Sequence, residues 1–459
     1  MTRILGPLLV ATLAALAACG DTLVDHEATD IQQGPGFGVC LEGQVSCRVA
    51  GELTCPAEGP QFCGSSCTPC PDPAVAGATR ACIGEGSGNG VCGYECQGGL
   101  LKCQGGCCTV SSVVAGARHT CAVTSGGGLF CWGDNTDGQV SGLASAAPVT
   151  IPVKRYEIGV VAVAAGEAHT CVALTDDVQC WGRAGPATPP GDLPVGVTAL
   201  AAGADHTCAL LSGGAVRCWG TGAAVGGGTP IAAGATAIAA GAAHTCAIVA
   251  TGVKCWGANA DGQLGDGSTT ASPTPPTLPI LTGIAAITAR GNHTCAAAAT
   301  PSGGAIDDAL RCWGDGLSEF SLAAQQTTPG IPMRDATQSV VRFRVDRLSA
   351  GRAHFCVQKV GDQVFCFGPP SLFDVTAAGA DGQLGGTPPA GSRESIPVPF
   401  TVAAKAVASG DDHSCAVFAD DTVHCWGKNH KGQLGDGSTI TPGVDDLRSV
   451  GTLVPVSGR

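Results

Sequence analysis

Aromatic side chains are scarce in this 459-residue chain: Phe, Trp and Tyr together make up 4%. That excludes a core built from bulky rings. Basic residues are also few, 24 Lys and Arg against 37 Asp and Glu, for a formal charge of −13. Phosphate binding needs clustered Lys and Arg, so the composition speaks against nucleic acid and anionic membrane as partners. Beyond the first twenty residues no apolar run is long enough to span a bilayer as a helix. What is plentiful is glycine, 70 residues, and cysteine, 27 residues. Such a chain favours tight turns and close backbone packing.

The chain begins MTRILGPLLVATLAALAACG. Arg3 precedes an apolar run over 4–18 that is short for a membrane helix and reads as a secretory signal. Its end, Leu16 to Cys19, resembles the lipobox of bacterial lipoproteins. That resemblance implies a signal peptide over 1–18, cleavage before Cys19 and acylation of the Cys19 thiol. Residue 20 is Gly and not Asp, which by analogy with enterobacterial sorting implies no retention at the inner membrane. The expectation is an exported chain, lipid-anchored to the bacterial outer membrane or cell surface. The alternative is an ordinary signal peptide cut after an Ala-x-Ala site.

Setting Cys19 aside leaves twelve cysteines from Cys40 to Cys108 and fourteen from Cys121 onward. Even numbers behind a secretory signal read as disulfides in an oxidising compartment. Residues 19–39 are polar and Gly-rich, a flexible tether. Residues 40–108 have apolar runs too short for a core, so bridges must stabilise a small module there. Cys67 and Cys70 raise zinc, which would need a second pair at knuckle spacing and thiols spared from oxidation; disulfides are the leading reading.

Residues 109–459 are a repeat array. One word begins at His119, His169, His206, His244, His293, His354 and His413; the third copy is HTCALLSGGAVRCWG. Steps of 37 to 61 residues with at least two β segments each suit propeller blades. VVAVAAG (160–166), VTALAAG (197–203) and ATAIAAG (235–241) precede the histidine. NADGQLGDGS (259–268) and NHKGQLGDGS (429–438) follow the tryptophan. The whole pattern resembles the regulator of chromosome condensation repeat, in a cysteine-bearing form like the secreted bacterial branch of that family. The resemblance covers about three quarters of the chain. It implies an all-β fold, a seven-bladed β-propeller, here with an N-terminal disulfide-rich small module.

Alternation puts His206, Cys208 and Leu210 on one face of a strand and Thr207 and Ala209 on the other. SGG supplies a hairpin turn. Cys208 and Cys218 then stand opposite each other, close enough to bridge. The same spacing predicts Cys121–Cys131, Cys171–Cys180, Cys246–Cys255, Cys356–Cys366 and Cys415–Cys425. Cys295–Cys312 joins them, with PSGGAIDD lengthening its turn. Tryptophan faces away from the bridge, so stacked blades can set one blade's Trp against the next blade's disulfide. A histidine repeated once per blade suggests a structural role, one backbone or cap contact per blade. DGQLGDGS lacks the Lys and helix of a P-loop. Its Asp residues could take calcium, although the spacing is not that of an EF-hand.

A strand of the form of TIPVKRYEI precedes the second histidine, and the first repeat has no such strand ahead of it. The C-terminal tail has that character, so residues 452–457 are expected to add a strand to the first blade and latch the ring. No asymmetric set of acid, base or metal residues stands out, so the reading names no catalytic residue, metal or cofactor and expects no enzyme. The nuclear member of the resembled family is an exchange factor for a small GTPase; an exported acidic chain is not expected to share that partner. The leading expectation is a cell-surface or periplasmic protein-binding lipoprotein acting through loops, with 134–157, 314–344 and 367–400 as the irregular insertions. Arg334, Arg342, Arg344 and Arg347 form a basic cluster for an acidic partner, or solvated arginines on a strand. A carbohydrate- or cell-wall-binding propeller is the alternative, and a propeller hydrolase or lyase a further one.

Overall fold

The computed structural model describes residues 109–183, 189–191, 193, 196–222, 230–250, 252–298, 310–314, 345–352, 354–359, 364–367, 402–420 and 422–439. It also describes short backbone strands at 47–49, 52–54, 78–83, 91–96, 101–103, 106–108 and 396–397. The leader, Cys19, the tether and the tail at 452–457 lie outside the described residues. Every described element is a strand. No described helix is long and apolar enough to cross a membrane.

The chain divides into two compact units near residue 107. In the N-terminal unit three two-stranded pairs form: Cys47–Val49 with Glu52–Thr54, Ala78–Ile83 with Val91–Cys96, and Leu101–Cys103 with Gly106–Cys108. Cys82 stands in register with Cys92.

The second unit holds seven sheets. Blade 1 has four strands, Val110–Ala115, His119–Thr124, Leu129–Gly133 and Val149–Tyr156. Blade 2 is Val160–Ala165, His169–Leu174 and Val178–Gly182; blade 3 is Val197–Ala202, His206–Leu211 and Val216–Gly220. Blade 4 is Ala235–Ala240, His244–Val249 and Gly252–Gly257; blade 5 is Ile284–Arg290, His293–Ala298 and Leu310–Gly314. Blade 6 is Val345–Ala350, Phe355–Lys359, Val364–Phe367 and Ile396–Pro397; blade 7 is Ala404–Ser409, His413–Phe418 and Val423–Gly427. Each sheet packs on the next, and the seventh packs on the first, so the ring is closed.

The middle strands are buried on both faces because each blade is covered by a neighbour on either side. The sequence makes the two faces complementary. His206, Cys208 and Leu210 meet the following blade, while Thr207, Ala209 and Trp219 meet the preceding one. The small Ala leaves room for the neighbour's disulfide, which explains how so few aromatics fill so large a ring. Trp181 lies in one cluster with Cys121 and Cys131, Trp256 with Cys208 and Cys218, and Trp426 with Cys356 and Cys366. Each of these tryptophans covers the disulfide of the blade before its own, and not that of the next blade as expected.

All fourteen cysteines of the array are bridged within their blades: Cys121–Cys131, Cys171–Cys180, Cys208–Cys218, Cys246–Cys255, Cys295–Cys312, Cys356–Cys366 and Cys415–Cys425. Cys208 faces Cys218 in register with Cα atoms 4.1 Å apart.

One premise of the latch expectation is corrected; the latch itself, residues 452–457, lies outside the described residues. Val149–Tyr156, the strand containing TIPVKRY, pairs with Leu129–Gly133 and so completes the first blade instead of opening the second. Val149–Tyr156 is thus the fourth strand of blade 1. The ring closes between blades 7 and 1 through side chains and loop backbone, as at other junctions.

Candidate functional site

The repeated histidine looks at first like a reactive group. Six of the seven instead form a belt around the ring. Nε2 of His119, His169, His206 and His244 lies 2.7–2.9 Å from the hydroxyl of Thr170, Thr207, Thr245 and Thr294, each in the following blade. His354 reaches Ser414 at 2.7 Å, and His413 closes the belt on Thr120 at 2.8 Å. The expected backbone or cap contact is instead a side-chain bond, one per belt histidine, and it joins two blades. The tautomer follows where the hydroxyl proton is committed elsewhere. Thr170, Thr294 and Thr120 donate to the carbonyls of Gln139, Gln263 and Gln433. Their oxygens must accept from the imidazole, so His119, His244 and His413 carry the proton on Nε2.

Burial sets the charge state. Desolvation disfavours imidazolium. It lowers His119, His169, His244, His354 and His413 to about 3 and His206 to about 4. The glycine three residues earlier makes the seat. A Cβ on Gly203 would stand 2.3 Å from Cε1 of His206 and 2.4 Å from the Gly241 carbonyl oxygen. These histidines are neutral at ordinary pH, and the Nε2 atom of each is committed to a hydroxyl of the following blade.

The DGQLG loop is equally committed. The Gln139, Gln263 and Gln433 carbonyls each accept a second bond, from Nε1 of Trp181, Trp313 and Trp132 in the following blade, at 2.8–2.9 Å. The loop's own backbone donors turn inward. Asn259 Oδ1 accepts from Leu264 N, Asn429 Oδ1 from Leu434 N, and Gln263 Oε1 from Asp261 N. Those donors are not available to a phosphate. Among the described residues no three His, Cys, Asp or Glu side chains gather as a metal set.

The repeat breaks at one place. In blade 5 the Gly-x-x-His turn reads Arg290-Gly-Asn-His293, with Arg290 in register with His293. Arg290 occupies the position that glycine holds in the other six blades. In blade 6 the belt hydroxyl is replaced by Phe355, whose ring meets His293 edge-on at 4.9 Å. Arg290 reaches away from this junction. Its Nε donates to Asp411 Oδ1 of blade 7 at 2.9 Å. Its Nη1 lies 3.5 Å from the carbonyl oxygens of Ala115 in blade 1 and Ala165 in blade 2. Burial alone would raise the Asp411 carboxyl. The Arg290 charge and hydrogen bond, with Arg352 nearby, outweigh it and hold Asp411 below the usual carboxylate range. The arginine was visible in the sequence as ITARGNHTC against AAGxxHTC, a signal that sequence reasoning passed over.

Four segments match the regulator of chromosome condensation (RCC1) repeat: 110–139, 197–223, 235–263 and 404–433. This chain carries RCC1 repeats. No curated protein sequence matches it. Solved structures show the fold. Human WBSCR16 is similar with a TM-score of 0.53 at 18% identity, over 68% of this chain and 92% of that one. A structure of Kap60 bound to yeast RCC1 (Prp20) matches at 0.52 and 19%, over 75% and 85%. Prp20p from Saccharomyces cerevisiae matches at 0.51 and 20%, over 72% and 85%. With RCC1 repeats and a closed ring of seven sheets, the second unit is a seven-bladed β-propeller.

Within that propeller the connections sort by face. The CWG strand ends opposite the histidine, as Gly220 does with His206. The segments that follow it, 134–148, 258–271 and 428–439 among those described, therefore leave at the same end as the Gly-x-x-His turns. The opposite end carries the tight hairpin turns. Ion pairs cluster at the loop end: Arg118 and Lys431 meet Asp134, Arg183 meets Asp137 and Asp205, and Lys428 meets Asp412. Of the insertions, 134–157 is blade 1's loop and fourth strand; nearly all of 314–344 and 367–400 lies outside the described residues. Arg334, Arg342 and Arg344 lie outside them too. Arg347 stands exposed on the inner strand of blade 6, in register with Gln358.

Proposed function

We propose that this chain is a non-enzymatic binding protein, exported and lipid-anchored through Cys19, whose propeller holds a protein partner on its loop face. One observation carries the reading. The reactive residue types of the repeat are used up between blades, while its longer irregular connections emerge at one end. Binding surfaces tend to sit on loops over a rigid frame. Leu143, 78% exposed, stands at the tip of the blade 1 loop. Asn135 and Ser141 both donate to its carbonyl, so the tip is fixed. Relatives with this fold are described as protein binders: Prp20p by its binding to Gsp1p and histones, and yeast RCC1 as bound by Kap60. Those partners are not carried over, because the acidic charge and the leader argue for another compartment and another surface. A sugar platform needs exposed aromatic faces, and Trp132, Trp181, Trp219, Trp256 and Trp426 are buried.

The test is capture from bacterial envelope extract with the full-length lipoprotein. Leu143→Asp and Arg352→Glu, on the loop face, should reduce retention of the captured protein at least tenfold. Ile158→Asp, at the opposite end, should leave it unchanged. Equal loss from both faces, or retention of glycan in place of protein, would refute the proposal.

A further inference from the structure

Arg155 stands where the outer strand of blade 1 breaks its register. Lys154 faces Phe130 and Tyr156 faces Leu129, so Arg155 is the extra residue of a β-bulge. A bulge re-aims the side chain of the residue it adds. This one carries Arg155 onto blade 2, with its Cζ over the Trp181 ring, 5.0 Å from the centroid. Trp181 itself is held firmly. Its Nε1 donates to the Gln139 carbonyl, and its ring packs in one cluster with Cys121, Cys131, Val153 and Tyr156. The Tyr156 ring lies 6.0 Å from it, and the Tyr156 hydroxyl donates to Gln179 Oε1. The blade 1 loop makes the other wall. Gly142 has φ +79°, and a Cβ there would stand 3.2 Å from Nη2 of Arg155 and 3.9 Å from Cβ of Trp181. Any larger residue at 142 would crowd the guanidinium.

The charge held in this slot is not neutralised in place. Nε of Arg155 is buried and has no hydrogen-bond partner. The acids of the neighbourhood are committed elsewhere. Glu157 pairs with Lys154 at 2.7 Å, and Asp177 accepts from Val178 N at 2.8 Å and Gln179 Nε2 at 2.9 Å. Asp137 faces Arg183 at 3.9 Å. A guanidinium over an indole ring keeps its N–H edge for a planar acceptor, and a carboxylate takes two parallel bonds from that edge. The ring also excludes water from one side of the cation, which strengthens an ion pair made there. Leu143 follows Gly142 and is 78% exposed, with its carbonyl fixed by Asn135 and Ser141. An apolar contact thus stands beside the cation.

We propose that Arg155 over Trp181 is a carboxylate-binding anchor. It takes an Asp or Glu side chain of a protein partner, and an apolar residue next to that acid meets Leu143. The proposal rests on the reading of the loop face as a protein-binding surface. Arg and Trp are the residue types around which binding energy concentrates at interfaces. The chain's charge of −13 repels an acidic segment at long range, but salt screens that repulsion beyond about 8 Å and leaves the local contact.

The probes are short synthetic peptides with one Leu flanked by Glu, by Gln or by Lys in a Gly-Ser background. At about 0.15 M salt the full chain, bridges intact, should retain the Glu peptide at least tenfold more than the other two. Arg155→Gln should abolish that preference. Arg155→Lys should lose most of it, because an ammonium lacks the fork. Ile158→Asp should leave it unchanged. In nitrogen-15 NMR the Nε–H signal of Arg155 should shift with the Glu peptide alone, a response that an arginine merely covering Trp181 would not give. If Arg155→Gln does not fold, Arg155→Lys and the wild-type NMR titration decide the matter. Equal retention of Glu and Gln peptides, or a Glu preference that survives in Arg155→Gln, would overturn the proposal. An envelope protein lost on Leu143→Asp but kept on Arg155→Gln would overturn the anchor and leave the loop-face reading standing. Glu-peptide binding at Arg155 with no envelope protein captured would uphold the carboxylate site and sink that reading.

Discussion

Acid should loosen this propeller well above the pH at which carboxylates protonate. Six belt histidines are held neutral down to about 3, or about 4 for His206, by burial. In the unfolded chain each would titrate near the ordinary value of 6.5. The unfolded state therefore binds more protons at every pH between those limits. The stabilisation is fully present above about 6.5 and is lost as pH falls toward 3–4. Each histidine costs about 1.4 kcal/mol per pH unit in that window. At pH 5 this is about 2 kcal/mol per histidine and about 12 kcal/mol for six, of the order of a whole domain's stability. Asp411 and Asp134, held below the usual carboxylate range, weaken the fold only at lower pH, so the two effects separate. The assay is denaturant unfolding at pH 7.5, 6.5, 5.5 and 5.0 with bridges intact. The slope of stability against pH should approach six protons taken up on unfolding near pH 5. His206→Gln should lower that slope by one. A slope below two protons between pH 5 and 6 would refute the reasoning.

Thr207→Val leaves the His169 ring without its hydroxyl and should destabilise by about 1–3 kcal/mol, whereas Thr207→Ser, the residue at the equivalent Ser414, should cost under about 1 kcal/mol in the same denaturation assay. Gly203→Ala drives a methyl into His206 and should cost more than about 3 kcal/mol, read as a large fall in melting temperature. Trp219→Ala uncovers the Cys171–Cys180 bridge and should cost about 3–5 kcal/mol by the same measure. Replacing both Cys208 and Cys218 by Ala opens a loop of ten residues and should cost about 2–3 kcal/mol, with the other six bridges retained in a non-reducing peptide map.

Much of this fold was legible because the repeat states it seven times. Alternation in HTCAL and the symmetry of Cys208 and Cys218 about the turn were enough to place both faces of the blade. The histidine's partner was hidden by its own neighbour: Thr207 follows His206 in sequence but points the other way, and meets His169 from the blade before. Such a bond is made only when the ring closes. The outer strand was misassigned for a similar reason. TIPVKRY lies between two repeats, and the fifteen residues from Asp134 to Pro148 are long enough to carry it back onto the first. Arg290 was readable as a break in AAGxxH, but its reach to Asp411, 121 residues away, depends on the curvature of the whole ring. The candidate binding face could be placed on loops from sequence. That the loops share one end follows from the register of Gly220 with His206.

The central claim is that the repeated histidines are neutral structural donors and that function lies outside the repeat word. Nitrogen-15 NMR of the imidazoles tests it most directly. His119, His244 and His413 should show a protonated Nε2 and a bare Nδ1, unchanged from pH 8 to pH 5. A belt histidine that titrates near pH 6.5, or carries its proton on Nδ1, would contradict the account.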